Sequence, residues 1–175
     1  VKSIREWLGL DRRNEPEDDA LRAIIDRLDR LPPERARFIA AFAFLLNRVA
    51  HADQHVGPEE TRAMEALVAR TAGLDRDQAM LVVQVAKTSH LLFGGSDNFT
   101  VAREFGASAT FEEKLALIDC LFAVSSAHEG ITTVEDNEIR RISRELRVEH
   151  GDYIRVRSAH REHLTVLKRP PTEGG

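Results

Sequence analysis

Two short stretches of the chain concentrate the side chains able to hold a cation or move a proton. The first, His51-Ala52-Asp53-Gln54-His55-Val56-Gly57-Pro58-Glu59-Glu60, sets imidazoles and a carboxylate a few positions apart, with two glutamates close behind. The second, Ala127-His128-Glu129-Gly130-Ile131-Thr132-Thr133-Val134-Glu135-Asp136, pairs His128 with Glu129 and follows them with Glu135 and Asp136. Oxygen ligands alone would suit calcium or magnesium, and added imidazoles would suit zinc. On that reading the candidate ligands are Asp53, His55, Glu60, His128, Glu129 and Glu135, and the candidate cofactor is a divalent cation (Ca, Mg or Zn) or none. Two familiar loops are excluded. Counted from Asp53, the twelfth position of a calcium loop is Met64 rather than glutamate, and no His-Glu-x-x-His occurs.

Helix capping gives a second account of the same glutamates. Both stretches open a helix, whose first amides lack partners within it. Thr132-Thr133-Val134-Glu135 is a capping box, and Gly57-Pro58-Glu59-Glu60 is its counterpart with glycine as cap and proline at the first position. Glu60 and Glu135 then serve helix ends. Val56 and Ile131 would plug each loop into the core. Capping leaves Asp53, His55, His128 and Glu129 unexplained.

Other chemistry finds little purchase. Ser125-Ser126 lies inside a helical pattern with no glycine-flanked elbow. Gly94-Gly95 is a lone pair without a following Lys-Ser or Lys-Thr. Cys120, the single cysteine, sits in the apolar run Leu117-Ile118-Asp119-Cys120-Leu121-Phe122, where a buried inert thiol is expected. His160 and His163 fall on one face of the last helix, expected to be exposed, and His90 and His150 fall near helix ends. No catalytic constellation emerges, so the chain is read as a non-enzyme.

The elements that must carry these loops are helical. Apolar residues recur at helical spacing in Ala20–Leu31, stopped by Pro32-Pro33, then from that pair to about Ala52, and from Pro58 to about Thr71, ending at Gly73. Asp75-Arg76-Asp77-Gln78 opens another helix as a capping-box pattern, Asp97 opens a short one through Phe105 that Gly106 ends, and Thr110-Phe111-Glu112-Glu113 caps the next. Further helices are predicted from Thr133 to about Leu146 and from about Asp152 to Leu167. No stretch alternates convincingly as a strand. The fold class is all-α, a compact domain of seven to eight helices.

The two stretches also align with each other. Phe42, Leu46 and Val49 precede the first as Leu117, Leu121 and Val124 precede the second, and Met64 and Leu67 follow as Ile139 and Ile142 do. This predicts an internal two-fold repeat of helical hairpins, about 38–86 and 113–161, with both loops at one end. The predicted organisation is an N-terminal arm and linker (1–16, with Ile4, Trp7, Leu8 and Leu10), one helical domain (17–168) and a disordered tail (169–175).

Composition bounds the setting. Length of 175 residues with 42% hydrophobic and 31% charged content suits one soluble domain. A net charge of −4, with basic residues interleaved among acidic ones, argues against nucleic acid and predicts solvated helix faces. No apolar run approaches the ~18 residues of a membrane span, and the first residues show no secretory apolar region, so a cytoplasmic location is expected.

The block Val49 to Glu60 resembles the signature of the tellurite-resistance TerB-like family: an alanine-rich helix end, Ala-Asp-Gly, one variable position, a β-branched residue, and a glutamate four further on. Ala127 to Ile139 is similar to the second copy that family carries, and the similarity covers roughly Leu31 to Val166. Gln54 stands where the family has glycine, and His128-Glu129 replace its second Asp-Gly. The resemblance implies a compact seven- or eight-helix domain without demonstrated catalysis, associated with stress-response operons, whose suggested metal binding rests on acidic residues of these loops. A similar domain precedes the J-domain of a membrane-anchored co-chaperone, but the J-domain signature His-Pro-Asp is absent from this sequence. The expectation is a non-enzymatic module that binds another protein, with peripheral association to a membrane complex conceivable. The alternative is a divalent-metal binder or sensor.

Overall fold

The computed structural model describes residue 4 and residues 19–50, 57–88, 98–127 and 130–167. Eight helices lie among them: α1 (Asp19–Asp29), α2 (Pro33–Ala50), α3 (Pro58–Ala72), α4 (Arg76–Lys87), α5 (Asn98–Ser108), α6 (Phe111–Ser126), α7 (Thr133–Glu145) and α8 (His150–Ala159). The only β pairing among the described residues is an isolated parallel bridge, Ile131 to Leu164. The fold is all-α, as the periodicity predicts. The arm beyond Ile4, the linker and the tail lie outside the described residues, but Ile4 itself is buried in the common core.

The ends of the helices follow local chemistry closely. Proline occupies the first position of α2 and α3, where its missing N–H costs nothing. The amides of Ala36 and Thr61 donate to the carbonyls of Pro32 and Gly57, closing the first turns. Thr110 and Glu113 form a reciprocal capping box on α6, and Thr132 and Glu135 form one on α7. Asp75 accepts from the Gln78 amide at α4, but that box is only half made. The Gln78 side-chain carbonyl accepts from Arg35 instead, because α2 brings a guanidinium within reach.

Two helices form the centre. Every residue of α2 from Phe38 to Leu46 is buried, and α6 is buried continuously from Ile118 to Ser125 apart from Asp119. A helix apolar on all sides must be covered on all sides. The described helices α1, α4, α5 and α7 pack around α2, and α3, α7 and α8 pack around α6, with α2 and α6 also in contact. Phe38, Phe42 and Phe105 stack between α2 and α5 with ring centres 5.0–6.3 Å apart.

Three sequence expectations are corrected here. Gly106 does not end α5, which continues to Ser108. It packs instead against the α7 end, where a Cβ would lie 3.4 Å from the Leu146 Cα, the near edge of ordinary contact. The last helix does not run to Leu167. It stops at Ala159 and gives way to two 3-10 turns, Arg161–His163 and Thr165–Leu167, because the chain bends to bury Leu164 beside Ile131. Leu167, expected to close that helix, is instead exposed at the end of the second 3-10 turn.

Candidate functional site

The two central helices set where the chemistry-bearing loops emerge. They start together: Arg35 Nη1 in the first turn of α2 is 3.8 Å from Glu113 Oε1 in the first turn of α6. They therefore run in the same direction. Near the other end, Val49 of α2 shares a surface depression of about 400 Å³ with Val134 and Glu135 of the first turn of α7, the helix that follows α6. Arg48 and Val49, just ahead of the first stretch, thus share a surface with Val134 and Glu135, just beyond the second loop. Asp53, His55, His128 and Glu129 lie outside the described residues, as does the side chain of Glu60.

Glu135, the remaining predicted ligand, is engaged in its own helix. Its Oε2 accepts from the Thr132 amide at 2.8 Å and from the Thr132 hydroxyl at 2.7 Å, and its own amide donates to Thr132 Oγ1 at 3.2 Å. The carboxylate also faces the positive end of α7. Among the described residues no cluster of three His, Cys, Asp or Glu side chains is placed to hold a metal ion.

The second loop is anchored by its β-branched residue, as predicted. Gly130 adopts φ +99°, a conformation that side chains resist, and so turns the chain into the core. Ile131 is fully buried, a change worth about 1.5–3 kcal/mol for such a side chain. Its amide donates to the His163 carbonyl at 2.7 Å, and its carbonyl accepts from the Thr165 amide at 3.0 Å. Val56, the corresponding residue of the first loop, lies outside the described residues.

The depression is floored by an ion network that the sequence reading overlooked. Arg48 of α2, only 7% exposed, reaches Glu138 Oε1 at 2.6 Å and Glu145 Oε2 at 2.8 Å, both on α7. Arg141 closes the cluster on its outer side, 3.2 Å from Glu145. Burial works against the charge on Arg48, but the hydrogen bonds it donates to Glu145 and Glu138 more than offset it, so its pKa is raised. The signal was present. An arginine stands inside the apolar face of α2, and two glutamates stand two turns apart on α7.

A second network corrects the expectation of solvated helix faces. Arg157 of α8 makes a two-pronged contact with Asp136 of α7, at 2.8 and 2.6 Å, and the Tyr153 hydroxyl donates to the same carboxylate at 3.1 Å. The Arg157 hydrogen bond, opposed by burial and aided by Tyr153, holds the Asp136 carboxyl below its ordinary range. Burial first, then the Asp136 charge, pushes the Tyr153 phenol well up.

The other singled-out residues fall as follows. Cys120 is fully buried and its thiol is pushed up to about 12, chiefly by burial, which fits an inert core residue. His160 is not on an exposed face: it stacks on Phe122 and its Nε2 lies 2.6 Å from Asp119 Oδ1. His163 is exposed. His150 is the first residue of α8, the positive end of the helix, so the expected dipole benefit to a charged imidazole is absent. His90 lies outside the described residues.

The family model described as tellurite resistance protein TerB matches residues 38–158, from Phe38 in α2 to Ser158 in α8. This chain belongs to the TerB family. No curated protein and no solved structure matches it. Membership makes this a tellurite-resistance-like all-α domain, and the match takes in both loop stretches and both central helices. No described helix of this TerB domain is long and apolar enough to cross a membrane.

Proposed function

We propose that this TerB domain is a non-enzymatic, cytoplasmic module that binds another protein through the end where α2 finishes and α7 begins. One observation carries the reading: Arg48 and Val49, which precede the first stretch, share a depression with Val134, Glu135 and Glu138, which follow the second loop. Val134 stands 66% exposed at its rim, an apolar side chain beside charged ones. That mixture of an apolar contact and a polar surround is the usual make-up of a recognition patch. A photo-crosslinking residue at Val134 should capture a discrete protein from the native cell, whereas one at the exposed Arg155 of α8 should not. Equal capture at both positions, or none at either, counts against the proposal.

The alternative is a divalent-cation binder or sensor using Asp53, His55, His128 and Glu129, supported by the carboxylates and imidazoles that both loop stretches carry in sequence. Calcium, magnesium and zinc titrated into chelator-treated protein should then release heat and raise the melting temperature. Asp53→Ala with His128→Ala should abolish both effects while the helical content stays intact. Glu135→Gln separates the two roles of that residue, since glutamine also serves in a capping box. Retained stability with lost cation affinity would assign Glu135 to the ion.

A further inference from the structure

We propose that the segment His160–Leu167 is a latch on the second loop: its docking holds the backbone at Gly130–Thr132, and its release frees that loop while the helical core stays folded. The segment is attached at two places. At the first, the His160 ring lies on Phe122 with centres 5.5 Å apart and planes 20° from parallel, and Nε2 sits 2.6 Å from Asp119 Oδ1. At the second, Leu164 is fully buried and forms the bridge to Ile131.

What makes this a latch is where the Ile131 backbone finds its partners. Its amide donates to the His163 carbonyl, and its carbonyl accepts from both the amide and the hydroxyl of Thr165. Among the described residues, both main-chain groups at the loop exit find their partners in the latch. If the latch leaves, they must turn to water, and Ile131 loses the Leu164 side of its packing. Between and beyond the two anchors the segment is lightly held: Arg161, Glu162 and His163 are exposed, as are Val166 and Leu167. Its turns are 3-10, whose hydrogen-bond geometry is poorer than that of an α-helix. A short segment with few buried anchors is the kind of unit that opens below the global unfolding limit. Linkage then makes the effect mutual: whatever engages the loop at Gly130–Thr132 biases the latch, and whatever engages the latch biases the loop.

Hydrogen exchange on the full chain tests this and does not depend on what the loops bind. The Ile131 and Thr165 amides should exchange as one unit, faster than the amides of Val82 and Val83 in α4. His160→Ala should speed exchange at Ile131 and Thr165 together by about tenfold, the factor that 1.4 kcal/mol represents, and leave α4 unchanged. Leu164→Ala should do the same through the other anchor. Should a substitution at either anchor prevent folding, Asp119→Asn keeps the stacked ring and should give a smaller, still paired, acceleration. Acceleration at Thr165 with Ile131 unmoved overturns the proposal, as does exchange of both amides only together with α4.

Discussion

Helix α7 carries an ion network on each of two sides, and the comparison between them separates chemistry from surroundings. Toward α2 it offers Glu138 and Glu145 to Arg48, which is 7% exposed. Toward α8 it offers Asp136 to Arg157, which is 26% exposed and shares its carboxylate with Tyr153. Both are arginine–carboxylate contacts of similar length. The inner one lies between the buried helix α2 and the inner face of α7, where the Arg48 side chain keeps little contact with water. The outer one can hydrate when broken. The same pair of groups thus specifies the docking of α7 onto the core in one case and only trims the seating of α8 in the other.

Arg48→Ala is the sharpest way to break the comparison. It leaves Glu138 and Glu145 with only the exposed Arg141 as a cation partner, and should cost about 3–5 kcal/mol in urea-induced unfolding. Arg157→Ala should cost about 1–2 kcal/mol, since hydrogen bonds to charged groups are involved but solvent can replace them. Equal losses would show that burial does not separate the two networks. Raising the salt from ~0.1 to 1 M should narrow the Arg157→Ala effect and leave that of Arg48→Ala nearly intact, because screening reaches exposed pairs first.

Acidity probes the outer network. The Asp136 carboxyl is held below its ordinary value of 3.8, so the folded state binds its proton less readily than the unfolded chain does. Its contribution to stability is therefore present above that value and is lost as the pH falls through the lower folded pKa. Asp136→Asn should flatten that part of the acid limb of a stability–pH curve; an unchanged limb would remove Asp136 from the account.

The smallest expected effect touches α7 without touching either network. Arg147 follows the helix with φ 57°, and the amides of Arg147 and Val148 donate to the Arg144 and Ser143 carbonyls. Those bonds make a Schellman ending in which glycine normally takes the left-handed place. Arg147→Gly should gain about 0.5–1 kcal/mol in the same unfolding measurement. A loss would mean that the arginine side chain holds the α7–α8 turn through a contact of its own.

Much of the fold was legible because helix ends are local. Thr110 with Glu113, Thr132 with Glu135, and the prolines that open α2 and α3 act within a turn of themselves, so a one-dimensional pattern contains the whole cause. The plugging role of Ile131 was legible too, as an apolar residue inside a polar loop. Gly106 was misread because glycine has two uses, and only the approach of Leu146 reveals which one applies. Gln78 was misread because Arg35, far away in the chain, takes its carbonyl. The candidate site was legible as a list of residue types, and the fold adds that Val49, ahead of the first, shares a depression with Val134, beyond the second loop.

By itself the sequence determined that this chain would be helical, where most helices begin and end, and which two of them are apolar enough to be central. Those properties arise from hydrogen bonds and side-chain periodicity within a few residues. Only the tertiary structure decided that α2 and α6 run in the same direction, that Arg48 is buried between glutamates, that His160 leaves solvent for Phe122 and Asp119, and that the last helix breaks so Leu164 can meet Ile131. Each of these depends on groups distant in the chain competing for the same water-free space, and the outcome of that competition is set by packing.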